Sequence, residues 1–286
     1  MTTVGVTDVD RRATLQAAID AGIRRFDTAF SYGRDGQSDR WLGQYLPSIR
    51  DEAFVVGKVG QRYEPSGKRV ADGSPKTLIR DAETSLSRLG LDRFDLLMLH
   101  QIDPSVAPEQ SMAALLALQD RGLTKQIGVC NVDLPLLREL AANFPIAAIQ
   151  CPLNLLQPDR LGMIQWCAGH GIQTHVFWTL MKGLLAGSIR RNHVFADGDS
   201  RPGYDIFQGT AFERAQRLID ELDALAKSSR RTISQLSIGW AMSQPGVTAP
   251  LVGARRPAQV QEIAAASQLN ADVLEQIERI VRETER

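Results

Sequence analysis

The sequence is short of several things, and each shortage excludes a class of protein. It has three cysteines in 286 residues. Cys130, Cys151 and Cys167 are odd in number and lack C-x-x-C spacing, which argues against a disulfide framework or a zinc site and fits a reducing, cytoplasmic setting. No apolar run approaches the ~20 residues of a membrane span. Residues 1–12 are polar and acidic, without the apolar core of a signal peptide. There is no excess of one charge: Lys plus Arg and Asp plus Glu are 33 each. A neutral balance gives no global footprint for nucleic acid or an anionic membrane. No G-x-G-x-x-G follows a strand, so a dinucleotide site of the Rossmann type is not expected.

What is present is a regular alternation. Short aliphatic runs at 23–27, 53–59, 94–99, 126–129, 146–150, 172–177 and 247–252 predict seven strands. Between and around them, amphipathic spacing predicts helices at 12–21, 38–46, 77–89, 108–121, 133–142, 161–170, 211–227, 234–243, 257–266 and 271–283. Pro75 opens the third helix, whose Leu78, Ala82, Leu86 and Leu89 recur at helical spacing. Near-continuous apolar strands alternating with helices predict a parallel sheet covered on both faces. The strand spacing of ~25–40 residues is that of a (β/α)8 barrel. No low-complexity linker divides residues 1–286, so a single domain is expected. The longest irregular stretch, 190–209, is Asp- and Gly-rich, a length usually functional or disordered.

In a barrel of this kind the active site lies at the C-terminal strand ends. Those ends read Asp27, Lys58, His100, Asn131 and Gln150. Singly, each has a plainer reading: Asp27 caps a turn over 28–32, and His100 is a core histidine. Together they place ionisable groups at the end of one apolar strand after another, which favours a functional mouth. Their types fit one mechanism. A tyrosine is a poor acid at neutral pH unless a cation stabilises its phenolate. Lys58 can supply that charge to Tyr32, Asp27 can hold the ammonium, and His100 can orient a carbonyl oxygen. The hydride must then come from a nicotinamide.

These residues stand in motifs that resemble the aldo-keto reductases: Ala21-Gly22-Ile23-Arg24-Arg25-Phe26-Asp27-Thr28-Ala29, Ser31-Tyr32-Gly33, Gly57-Lys58-Val59 and Leu97-Met98-Leu99-His100-Gln101. Further matches are Gly128-Val129-Cys130-Asn131, Gly183-Leu184-Leu185-Ala186-Gly187 and Leu251-Val252-Gly253-Ala254-Arg255-Arg256-Pro257. They run in family order over nearly the whole chain. The resemblance implies a TIM barrel and an NADP-dependent oxidoreductase acting on a small carbonyl or alcohol. Asp27, Tyr32, Lys58 and His100 would form its catalytic tetrad, with Asn131 and Gln150 on the nicotinamide carboxamide and Phe177 stacked on the ring. It also makes 253–262 an adenosine-phosphate site, with Gly253, Ala254, Gln259 and Glu262 contributing. Arg255 and Arg256 there can pair a 2′-phosphate, favouring NADP over NAD.

The chain departs from the family pattern at its start. Met1-Thr2-Thr3-Val4-Gly5-Val6 leads almost directly to the first helix, so the first barrel strand is expected to be missing. Either the numbered start is shorter than the natural one or the barrel closes with seven strands. An open barrel exposes two edges, a liability unless another segment or subunit covers them, so a homo-oligomer is the expectation there. Cys130 replaces a frequent Ser, Ile263 a frequent Asn, and Phe177-Trp178-Thr179-Leu180 a frequent Tyr-Ser-Pro-Leu, with Trp178 either in the core or at the pocket. Loss of the strand favours the alternative of a nucleotide-sensing NADPH-binding module with little turnover; the intact tetrad favours the enzyme.

Overall fold

The predicted alternation is present in the computed structural model, which describes residues 6–284. In chain order the elements are α1 (Asp8–Asp20), β1 (Arg25–Asp27), α2 (Gln37–Leu42), β2 (Phe54–Val59), β3 (Gln61–Tyr63), β4 (Arg69–Ala71), α3 (Pro75–Leu89) and β5 (Phe94–Leu99). Then follow α4 (Pro108–Asp120), β6 (Thr124–Cys130), α5 (Leu134–Asn143), β7 (Ile146–Pro152), α6 (Leu161–Gly169) and β8 (Gln173–Phe177). The remainder is α7 (Gly209–Ser228), α8 (Ile233–Ser243), β9 (Ala249–Pro250), α9 (Pro257–Ala264) and α10 (Ala271–Thr284). Two compact units emerge: one of Ile23–Cys151 with Trp166–Thr174, the other of residues 6–22, Pro152–Gln165 and 175–284.

The first unit holds five parallel strands, in the order β1-β2-β5-β6-β7. All six residues of β5 are buried, as are the last five of β2. That is why these strands read as unbroken apolar runs rather than alternating ones. Two charges interrupt them. Asp95, near the start of β5, accepts the Val55 amide at 2.8 Å and pairs with Arg50 at 2.9 Å and Lys125 at 2.8 Å. It thereby fastens β5 to β2 at the end of the sheet where the strands begin. Lys58 lies at the other end. Helix α3 has Pro75 in its first turn, as expected, and ends at Gly90 in the left-handed conformation (φ 64°), a common helix stop.

The second unit holds β9 and residues 175–177 of β8, paired in parallel through His175 with Ala249 and Val176 with Pro250. Strand β9 is shorter than the expected 247–252. Pro250 has no N–H to extend the ladder, although the Leu251 amide still reaches the Val176 carbonyl at 2.7 Å. Capping boxes at Thr7–Asp10 and Thr232–Gln235 open α1 and α8. Helix α1 packs on α9, and α10 buries Val273, Ile277 and Ile280. The stretch 190–209 is built rather than formless. It contains short 3-10 turns at Arg201–Gly203 and Asp205–Phe207, an Arg201–Asp199 pair at 2.5 Å, and a Phe195–Phe207 ring contact.

The described residues form seven parallel strands following one another in chain order and alternating with helices, as the sequence predicts, a (β/α)8-type α/β fold short of one strand among those residues. Among the described residues no strand precedes α1; residues 1–5, most of the segment expected to lead directly to the first helix, lie outside them. The antiparallel hairpin of β3 and β4 was not expected. Its Gln61, Arg62 and Arg69 offer no apolar alternation. Among the described residues no helix is long and apolar enough to cross a membrane.

Candidate active site

Six of the expected site residues meet within the first unit. Asp27 ends β1, Lys58 lies one residue before the end of β2, His100 and Asn131 follow β5 and β6, and Gln150 lies within β7. Tyr32 is in the loop after β1. That loop keeps step with β2, since the amides of Thr28 and Phe30 bond the carbonyls of Val56 and Lys58 at 2.9 Å each. The Tyr32 amide then turns back onto the Ala29 carbonyl at 2.9 Å, and the Tyr32 carbonyl accepts the Ser38 amide at 3.1 Å.

Lys58 is 2% exposed. Its ammonium pairs with Asp27 Oδ1 and donates to the Thr28 carbonyl at 2.8 Å. A buried, unpaired ammonium would be costly; here Asp27 holds it charged. Burial alone depresses the lysine, yet the Asp27 carboxylate beside it acts the other way, and Lys58 ends above its ordinary range. The ammonium sits 4.9 Å from the Tyr32 ring centroid. Tyr32 and His100 meet edge to face, with centroids 5.6 Å apart.

Tyr32 is pulled two ways. Burial raises its pKa, Lys58 lowers it, and the balance stays above the ordinary value of 10.0. The cation therefore does not bring the phenol toward neutrality; burial is the larger effect, and Tyr32 stands as a protonated acid. His100 is pushed down to about 3, first by burial and then by the charges of Lys58 and Arg69. It is a neutral imidazole. Its backbone amide bonds the Val59 carbonyl at 2.7 Å, and its Nδ1 is buried without a partner among the described residues.

Gln150 and Asn131 are partly engaged within the protein. Gln150 Nε2 donates to Asp27 Oδ2 at 2.6 Å, so each Asp27 oxygen has its own donor. Asn131, in the left-handed conformation (φ 60°), donates its side-chain amide to the His100 carbonyl at 3.0 Å. Cys130 is fully buried between Met98 and Gln150, at 3.9 Å from each, and burial pushes its thiol well up. It packs as a neutral group.

Sequence reasoning overlooked a second layer behind the Tyr32 loop. Asp39 has no exposed surface. The Thr28 hydroxyl donates to one of its oxygens at 2.6 Å and the Ser85 hydroxyl to the other at 2.6 Å. Burial raises its pKa despite those bonds and the nearby Arg88. Arg88 stacks 4.9 Å from the Phe30 ring centroid. Gly36 lies beside it at φ 64°, a backbone conformation that favours glycine, and a Cβ there would require the guanidinium to shift. Thr28 thus links Asp39, through its hydroxyl, to Lys58, through its carbonyl. In the sequence Asp39 stands between Ser38 and Arg40 and reads as part of a polar face, while one of its partners, Ser85, comes from α3, 46 residues away.

The other expected site residues belong to the second unit. Phe177 ends β8, half-buried, its ring edge to face with Trp178 at 5.4 Å. The segment leaving β9 beside it carries Gly253, Ala254, Arg255 and Arg256 into α9. Pro257 opens that helix, and no side chain caps its first turn. The Arg255 amide bonds Gln259 Oε1 at 2.8 Å. Arg256 and Gln259 are exposed, and Glu262 is half-buried. An uncapped helix start beside two arginines suits a phosphate. Asp199 faces Arg255, and Asp10 of α1 faces Arg256, closely enough for each charge to be felt.

Comparison with known proteins gives a consistent picture. The model of the aldo/keto reductase family matches residues 2–282. The chain is 28% identical over 277 residues to the aldo-keto reductase YhdN of Bacillus subtilis, covering 95% of this chain and 83% of that one. It is 30% identical over 282 residues to the NADH-specific methylglyoxal reductase of Escherichia coli, covering 92% and 85%. Among solved structures, a glycerol dehydrogenase from Gluconobacter oxydans superposes with a TM-score of 0.88 at 27% identity, over 97% of this chain and 86% of that one. An aldo/keto reductase from Klebsiella pneumoniae, in complex with NADP and acetate, has the same fold at a TM-score of 0.74 and 24% identity, over 97% and 88%.

Proposed function

The chain belongs to the aldo/keto reductase family, and from that premise we propose that it is an NADP(H)-dependent oxidoreductase converting a small aldehyde or ketone to an alcohol, or the reverse. The observation that carries this reading is the juxtaposition of a protonated, buried Tyr32 with the Lys58–Asp27 pair and a neutral His100. A bound nicotinamide dinucleotide would supply the hydride. Tyr32 donates its phenolic proton to the carbonyl oxygen as that oxygen becomes an alkoxide. Lys58 stabilises the phenolate left behind. Asp27 keeps Lys58 charged and in place. His100 orients the carbonyl. Its proton belongs on Nε2, where it can donate, because the buried Nδ1 has no partner and an unmade buried bond is expensive. In the oxidative direction the same groups run backwards, with the Tyr32 phenolate as base.

The residues present fit the cofactor. Phe177 offers a half-buried ring for stacking, Asn131 an amide oxygen for the carboxamide, and the uncapped start of α9 a place for phosphate. Gln150 would meet the carboxamide with its remaining oxygen, since its nitrogen is held by Asp27. Arg255 and Arg256, with Gln259 and Glu262, would hold the adenosine phosphate. The family includes a relative that is NADH-specific, so the preference for NADP rests on those two arginines. The reading treats the chain as one catalytic domain, since the family match spans both units. A cytoplasmic setting accords with three buried cysteines and no disulfide among them.

The direct test is steady-state oxidation of NADPH by the full chain with a panel of short aldehydes and ketones. Turnover is expected. Tight NADPH binding without turnover would overturn the enzyme and leave a nucleotide-sensing module.

A further inference from the structure

We propose that the β3–β4 hairpin gives this active site an anion-binding edge, on which Arg69, flanked by Arg34, docks a carboxylate or phosphate carried by the carbonyl substrate. The inference rests on reading Tyr32 and His100 as the carbonyl site; it adds the chemical class of the substrate.

The hairpin is placed by the site itself. It leaves the end of β2 just after Lys58 and Val59, and its base closes where the Asp72 amide bonds the Gly60 carbonyl at 3.1 Å. Gln61 lies within 3.3 Å of the Ser31 hydroxyl, on the loop that carries Tyr32. It also donates to Gln101 at 2.8 Å, next to His100. Two loops bearing catalytic groups are therefore tied to the same strand, β3. Arg69 stands on the partner strand, opposite Tyr63. At the tip, Gly67 holds φ 82°, and a Cβ there would lie 2.8 Å from an Arg34 guanidinium nitrogen. The first polar residue after Tyr32-Gly33 thus reaches across to the hairpin turn.

Of four nearby acids, two are paired with cations and two accept hydrogen bonds from neutral donors. Asp72 pairs with Arg62 and accepts from Ser74; Asp103 accepts from Ser105 and the Gly73 amide; Glu64 accepts from Ser66; Asp27 holds Lys58. Among the described residues neither Arg34 nor Arg69 has a carboxylate within ion-pair distance. The positive charge of Arg69 is nevertheless close enough to help depress His100. Unneutralised guanidinium groups beside a site raise the local concentration of anions and steer them in. An Arg fork also matches a carboxylate or phosphate with two parallel hydrogen bonds. The substrate so selected has its carbonyl at one end and an anionic group at the other.

The test uses matched pairs with NADPH and the full chain: succinic semialdehyde against butanal, and glyceraldehyde 3-phosphate against glyceraldehyde. The quantity read is the ratio of kcat/KM for the charged member over the neutral one. In the native protein the ratio is expected to be about tenfold or more, the scale of one charge-assisted hydrogen bond, and to fall with added salt. Arg69→Gln should lower it about tenfold, mainly through KM of the charged member, and Arg69→Lys should restore part of it. A preference confined to one pair identifies the anion as carboxylate or phosphate and supports the proposal either way. A ratio near one in the native protein, or one that Arg69→Gln leaves in place, overturns it. No turnover of either member of any pair overturns the carbonyl-reduction reading instead, and this proposal with it.

Discussion

Burial and charge act against each other on Tyr32, the proposed proton donor, and the outcome favours its protonated form at neutral pH. The sequence suggested that Lys58 would draw the phenol toward operating pH. The structure shows why it does not: the ring is buried beside its cation, burial is the larger effect, and the phenol is raised. A raised pKa means the protonated form persists to higher pH. The rate of reduction is therefore expected to be flat across neutral pH and to fall only above the ordinary tyrosine range of about 10. Alcohol oxidation, which needs the phenolate, should climb with pH over the same interval. His100, pushed down to about 3, contributes no limb near neutrality. A pH profile of kcat/KM with a break near 6.5 that His100→Gln removes would contradict this account.

Among the elements, the strands and helices were legible because each carries its own period or its own stop signal, as Pro75 and Gly90 do for α3. The features that escaped are those whose partners lie far along the chain. Asp95 is a charge within an otherwise apolar strand. It is a fastening between β5, β2 and two cations. Burial pushes this carboxyl up, but bonds from Arg50, Lys125 and the Val55 amide pull it further down, to below 3.8. A depressed carboxyl contributes stability above its unfolded value and loses it as pH falls through the folded one. Asp95→Asn should thus cost about 1–3 kcal/mol at neutral pH. In denaturant titrations the gap from the native protein should close as the solution is acidified below that range. A gap that widens in acid would show that Asp95 is not the stabilising anion. Asp39 makes the same point for the Tyr32 loop: Asp39→Ala removes the acceptor of two buried hydroxyls. The expected loss is also about 1–3 kcal/mol, together with a lower kcat, because Thr28 holds Lys58 through its carbonyl.

For the whole molecule, the alternation of elements and the ordered motifs identify the fold and family, while in the proposed function cofactor choice depends on a few side chains at the start of α9. Arg255 and Arg256 each have an acid nearby, Asp199 and Asp10. An arriving 2′-phosphate must compete with those carboxylates, a contest that no reading of residues in isolation could foresee, since Asp10 lies at the opposite end of the chain. Replacing Arg255 and Arg256 together by Ala is expected to weaken NADPH by about tenfold or more while NADH changes less. Equal losses in equilibrium titrations would remove the 2′-phosphate contact from the account. The residues proposed as catalytic were legible because parallel strands deliver their C-terminal ends to one place; Arg69 and the hairpin that carries it were not, because nothing in 61–71 repeats.

The claim on which the rest depends is that Tyr32 is the proton donor. Tyr32→Phe keeps the ring against His100 and removes only the hydroxyl. Measured with NADPH and the best aldehyde substrate, kcat should fall by about a hundred- to ten-thousandfold, while NADPH affinity in a direct binding titration stays within about twofold, below the tenfold that 1.4 kcal/mol would give. Turnover retained at the native rate would contradict the account outright.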